Sequence, residues 1–361
     1  MSAATTETKA TKATPVAAAF TARWIISPRE DLVWFVGSVA VSYLLFALYV
    51  GGLVPLIPMV LAWAVLIDGP HVFATFTRTY FDREERRERA PLLWWSLLFF
   101  AAGPVAVLAR AGYAFFFVAA LWAYYHLVKQ HYGFMVLYKK KNGDLDKTDN
   151  ALDRAFLFAA FAYPFVRFAA TDPEALRRVP AFMHAGLGTL EPVVLVPTVI
   201  LTALWLGRQA QRALKGLPLN VPKYLLLLAA VPMHWVVLLT PMEHKPIAVV
   251  AMLTVYHNLQ YHRLVWFHNR KYTRDDACGE RHGAAHFLSR RVFHYAAFGL
   301  LFGLWYQMPR QYVNHAANPD SFYTQLASGF LWGYALLHYH LDSKIWRVRR
   351  DPSVGRALKM S

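Results

Sequence analysis

Apolar stretches of about twenty residues follow one another along most of this chain, and few folds accommodate that pattern. A bilayer core takes about 20 apolar residues per helix. Stretches of this kind lie over residues 31–54, 55–77, 91–109, 112–138, 150–170, 190–207, 221–240, 246–268, 292–309 and 322–343. Lipid cannot satisfy open backbone, so helices alternating with loops are the layout it allows. Only Gly51, Gly52 and Pro55 separate the first two stretches, the sixth is short, and the eighth and tenth carry polar residues. The sequence therefore predicts an all-α, polytopic membrane bundle of about nine or ten transmembrane helices. Composition agrees. The chain is 57% hydrophobic and 17% charged, against about 45–50% and about 25% in a soluble domain. This excludes a disordered chain and a coiled coil. The single Cys278 excludes an internal disulfide and a cysteine-built metal site.

Residues 1–22, rich in Ala, Thr and Lys, read as a disordered tail. Residues 23–350 read as one transmembrane domain, and residues 351–361 as a basic cytoplasmic tail. The formal charge of +16 would suggest nucleic acid in a soluble protein, but its placement says otherwise. With ten spans and a cytoplasmic N-terminus, the inner segments hold 32 of the 38 Lys and Arg. The outer side keeps only Arg110, Arg167, Arg177, Arg178, Lys245 and Arg310. Such an excess is the positive-inside pattern. It predicts both termini in the cytoplasm, a bacterial inner membrane as the location, the lipid bilayer as a partner, and no nucleic-acid partner.

The fifteen histidines fall unevenly on this layout. Eight lie in spans that all run from outside to inside: His71, His126, His131, His257, His262, His268, His338 and His340. At 1.5 Å per residue, His126 and His131 lie about 20 and 12 Å before the Lys139–Lys141 cluster. His257 and His262 lie at about the same distances before Arg270, and His338 and His340 about 10–14 Å before Arg347. Asp68 and His71 lie about 15–20 Å before the charged run from Asp82. Four helices thus bring imidazoles to one layer, as in bundle metal sites. The candidate ligands are His71, His126, His131, His257, His262, His338 and His340, with Asp68 and Asp342. Neutral imidazole suits iron, zinc, copper and nickel. A five-residue step turns a helix by about 140°, so the two His of a pair do not share a face. Either they flank two metals, or a π-bulge brings them together. His338 and His340 stand about 200° apart unless the helix has ended. Asp68 inside a span is costly and marks function, as a ligand or as the acceptor that orients His71. Lys129 and Arg263 either snorkel to the inner surface or pair with Asp68 or Asp342. Of His268, His282, His286 and His294, most read as solvated or lipid-facing and one as a peripheral ligand. Trp94, Trp95, Trp266 and Trp346 read as an interfacial belt.

His126-Leu-Val-Lys-Gln-His131, two histidines separated by four residues, resembles the first histidine box of the integral-membrane di-iron oxygenases, namely desaturases, fatty-acid hydroxylases and alkane hydroxylases. Those families also carry His-His doublets, and none occurs here. Gly69-Pro70-His71 and His257-Asn258…His262 are similar in style to the Brp/Blh carotene-cleaving dioxygenases, polytopic proteins with isolated helix histidines. Both resemblances imply iron, as one ion or two, and a lipid-soluble substrate such as a carotenoid or fatty acyl chain. A hydroxylase or desaturase would also need a ferredoxin- or cytochrome-type redox partner on the cytoplasmic face. Two other readings use the same residues. One is a haem-binding or electron-transfer protein with bis-His ligation. The other is a metal or proton transporter built on His and Asp. Zinc is the remaining metal.

Overall fold

A computed structural model describes residues 20–275, 277–315, 317–318, 321–348 and 351–360. Nearly all of it is helix. Ten long helical segments occupy the ten expected places: α1 (Pro28–Val50), α2 (Leu56–Arg78), α3 (Ala90–Leu108), α4 (Gly112–Lys141), α5 (Lys147–Thr171), α6 (Ala181–Leu214), α7 (Val221–Leu239), α8 (Lys245–Asn269), α9 (Val292–His315) and α10 (Phe322–Ile345). Among the described residues, α1, α2, α3, α6 and α7 are long and apolar enough to cross a membrane by length and composition. The other five run for 24 to 30 residues and carry more polar residues. A two-residue parallel pairing, Phe20–Thr21 with Leu219–Asn220, is the one sheet among the described residues.

Local chemistry sets where the helices begin. The Asp146 side chain accepts from Asp149 N at 3.0 Å and starts α5, and Asn220 accepts from Lys223 N at 3.3 Å and starts α7. Each satisfies a backbone donor that a helix leaves free. Helix α8 is buried on almost every turn and sits against α1, α2, α4 and α7. It is the axis around which the others pack. Small residues let neighbours approach closely, which is how helices without a hydrophobic driving force associate. A Cβ on Gly103 of α3 would lie 2.3 Å from the Gly329 carbonyl of α10, and one on Gly303 of α9 would lie 2.2 Å from the Val65 carbonyl of α2. Helix α2 opens into a π-turn at Ala64–Asp68, directly before Pro70. Pro70 has no N–H to give back to the preceding turn, and the wider turn absorbs that loss.

The ends differ from the sequence expectation. Residues 1–19 of the expected N-terminal tail lie outside the described residues. The described chain begins at Phe20, close to a packed segment: Ile25 is buried, and the Asp31 carboxylate accepts from the backbone of Ile25, Ile26 and Ser27. The C-terminal segment is packed as well. A short helix, Pro352–Ala357, buries Val354, and Leu358 is buried just after it. Asp351 meets the Arg89 guanidinium. Apolar side chains at i and i+4 and one carboxylate dock a segment that composition marks only as basic.

Candidate metal centre

Four of the histidines meet. His71 of α2, His126 of α4, His257 of α8 and His338 of α10 each offer a ring nitrogen, and these nitrogens lie within 4.8 Å of one another. Going around, the ring centroids are 4.9 Å apart for His71–His257, 5.1 Å for His257–His126, 4.9 Å for His126–His338 and 4.5 Å for His338–His71. All four are edge-to-face contacts, and all four side chains are buried. A closed ring of imidazoles in an apolar bundle has to dispose of its polar atoms. His71 Nδ1, His126 Nε2 and His257 Nδ1 make no hydrogen bond. Buried polar groups are normally paired, so each orphan asks for an explanation. Nitrogens about 2.0–2.1 Å from one ion stand at most about 4.2 Å apart. A spread of up to 4.8 Å closes on an ion with shifts of less than an ångström.

His338 shows how the ring is held. Thr75 Oγ1 donates to Asp342 Oδ1 at 3.1 Å, and Tyr261 donates its hydroxyl to the same oxygen at 2.6 Å. Thr75 Oγ1 therefore accepts from His338 Nδ1–H, at 2.7 Å. That fixes the tautomer and leaves the lone pair on Nε2. This Nε2 points at His71 Nε2, 2.9 Å away, and Asp342 Oδ2 lies 3.7 Å from it. Trp346 Nε1 closes the chain at 3.4 Å from Tyr261 Oη.

The histidine pairs of the sequence do not act as pairs. Helix α4 is regular α-helix through both His126 and His131, so the 140° turn sends them to different neighbours. His131 packs against Phe161, His234 and Tyr256, outside the ring. His262 turns to Tyr295 Oη at 3.0 Å and to the Ile67 carbonyl at 3.3 Å. His340 lies against Phe99, because α10 runs on to Ile345 and keeps it opposite His338. Asp342 supports His338 through Thr75. Asp68 faces away from the ring: it accepts from Gln307 Nε2 at 2.6 Å and Asn258 Nδ2 at 3.2 Å, with Arg310 Nη1 at 3.8 Å. Thr75, Tyr261 and Arg310 carry no sequence signal for these roles, since only the packing of α2, α8, α9 and α10 brings their partners within reach.

Other residues also find different surroundings from those expected. Arg263 pairs with Glu30 at 2.6 Å, and Lys129 sits over the Tyr132 ring, so neither meets Asp68 or Asp342. His268 and His282 are buried, not solvated: Arg78 reaches His268 Nε2 at 3.0 Å, and His282 Nδ1 meets Asp82 at 3.0 Å. Trp94 and Trp95 are exposed as a belt requires, but Trp346 lies under the Arg78 guanidinium, 4.3 Å from it. Outside the spans, burial raises the Asp144 carboxyl, but Lys223, Lys139 and Arg212 outweigh it and hold it down to about 2.

Comparison with protein families, curated proteins and solved structures gives no match. The structure is a helical protein with several helices apolar enough for a membrane and four clustered, buried histidines able to bind a metal ion.

Proposed function

We propose that the chain is a membrane-embedded, iron-dependent oxygenase acting on a lipid-soluble substrate such as a carotenoid or a fatty acyl chain. The observation that carries this reading is the closed ring of four buried imidazoles, given by four helices and holding three nitrogens with no hydrogen bond. Four neutral imidazoles with no thiolate suit iron, zinc, copper or nickel. Iron held there would supply activation of O2 against an inert C–H or C=C bond.

The chain's own residues do the rest. His71, His126, His257 and His338 bind the ion. Thr75 and Asp342 hold the His338 ring in one tautomer and one orientation. Tyr339, stacked on His126 at 4.4 Å, and Tyr261, edge-on to His71 at 4.6 Å, keep water from the ring of histidines. A centre inside membrane helices is reached from lipid, which is why the substrate is assigned to that phase. In this reading all ten helices cross a bacterial inner membrane, with both termini in the cytoplasm. If the reaction is hydroxylation or desaturation, a ferredoxin- or cytochrome-type donor docks on the basic inner face. Oxidative cleavage needs no such donor. A bis-His haem fits the site less well: it needs empty space between two imidazoles for a macrocycle, whereas here four rings touch.

Metal analysis and an absorption spectrum of the purified protein in detergent test this. One iron per chain without a Soret band is expected, lost in His126→Ala, His257→Ala and His338→Ala. A Soret band moves the assignment to haem. Zinc alone, or no metal in a folded protein, sinks the oxygenase.

A further inference from the structure

A second histidine pair lies about 7.5 Å further along α4 from His126. His131 of α4 and His234 of α7 are neighbours, with ring centroids 5.8 Å apart and ring planes crossed at 84°. Both are fully buried. Neither nitrogen of His131 makes a hydrogen bond, and neither does His234 Nε2. The tautomer of His234 follows from its neighbour. Tyr124 spends its single proton on the Phe161 carbonyl at 2.8 Å, so its oxygen accepts from His234 Nδ1–H at 3.2 Å. The lone pair of His234 is therefore on Nε2, the atom with no partner. A neutral His131 likewise carries one lone pair with nothing to receive it. Two buried basic nitrogens thus stand on rings in contact.

We infer that His131 and His234 hold a second ion, separate from the four-histidine centre, and that this ion is copper(I). Three facts converge on it. Two imidazole nitrogens each about 2 Å from one ion put their ring centroids roughly 6 Å apart, close to the spacing seen. The other rings against the pair are Phe161, Tyr124 and Tyr256, and none of them bears charge. Born energy rises with the square of the charge, so a monovalent ion costs a quarter of what a divalent ion would in such surroundings. Among the metals that imidazole favours, copper is the one with a stable monovalent state. A divalent ion belongs instead at the four-histidine ring, where Asp342 stands 3.7 Å from His338. The pair does not depend on that ring being an oxygenase centre, since His131 lies on another face of α4 and His234 lies on α7.

The experiment separates the two sites. The full chain in detergent is titrated anaerobically with copper(I) against a chromogenic copper(I) chelator, in a His338→Ala background that breaks the four-histidine ring. One copper(I) per chain is expected there. His131→Phe and His234→Phe should each weaken it at least 100-fold, while His131→Met, which supplies a soft thioether, should keep copper(I) and take no zinc(II). If the His338→Ala protein binds no copper(I), or if a folded His131→Phe/His234→Phe protein binds it as tightly, the inference is overturned. Should the Phe variants not fold, copper K-edge absorption of the loaded His338→Ala protein decides. Two nitrogen neighbours support the pair, and any other set refutes it.

Discussion

At the residue scale, the imidazole ring depends on orientation as much as on donors. His338 is held through Thr75, whose hydroxyl links Nδ1 to the Asp342 carboxylate. Partners of this kind typically change metal affinity by about 10–100-fold when removed. Thr75→Val keeps the shape of the side chain and removes the hydroxyl. It should weaken metal binding by about that factor, read by competition with a chelator, in a protein that still folds. His338→Ala should abolish iron binding at the four-histidine ring. His340→Ala, on the opposite side of α10, should leave metal content at the wild-type level. Equal loss in His338→Ala and His340→Ala would contradict the placement of the centre.

At the element scale, two features hold the helices in the register that the site needs. Helices α3 and α10 meet backbone to backbone at Gly103 and Gly329. Gly103→Val drives a side chain into that contact. Forcing methyl groups into a packed interface costs about 1–3 kcal/mol or more. Because α10 carries His338, metal retention should fall along with the melting temperature. The second feature is the buried charge network where α4 passes into α5 and α6 into α7. Arg212 bridges Asp144 at 2.7 Å and Asp149 at 2.5 Å, while Lys223 reaches Asp144 at 2.8 Å and Asp153 at 3.2 Å, with Lys139 also on Asp153. Removing one partner of a buried pair costs about 3–5 kcal/mol, so Lys223→Ala should melt well below wild type. The sign with pH follows from Asp144, whose carboxyl is held at about 2 against an ordinary value of 3.8. A depressed carboxyl stabilises the fold above the unfolded value and loses that contribution as pH falls through the folded one. Its share, about 2 kcal/mol at neutral pH, should be present above about pH 4 and vanish toward pH 2. An Asp144→Asn protein should show a shallower loss of stability over that window.

At the scale of the whole molecule, the metal and the fold are linked. An ion that binds only the folded chain stabilises it by roughly 4 kcal/mol at a thousandfold excess over its Kd. In protein loaded with iron alone, chelation should therefore lower the melting temperature of wild type and leave His338→Ala unaffected. Topology has its own readout. A reporter fused after Ser361 should report from the cytoplasm if ten helices cross, and an external reading would mean an odd number of crossings or the reverse orientation.

How much of this was legible beforehand depends on what each property needs. The helices were readable because lipid-compatible runs and the basic loops between them are local features, and a helix lies over each predicted stretch. The four histidines of the ring were all among the candidates, since depth along a helix is linear in residue number. Depth did not say which way each side chain faces around its helix. That is why His131, His262 and His340, at the same level, lie outside the ring, and why Asp68 answers to Arg310 and not to His71. Nor did it show that Thr75 completes the support of His338, or that His234 faces His131, because those contacts join residues more than a hundred positions apart. The sequence by itself determined that the chain is an all-helical bundle with imidazoles gathered in one layer, since periodicity, length and hydropathy act along the chain. Only the tertiary structure decided which imidazoles meet, since convergence is set by helix rotation and close packing at positions such as Gly303 and Gly103, and these act across it.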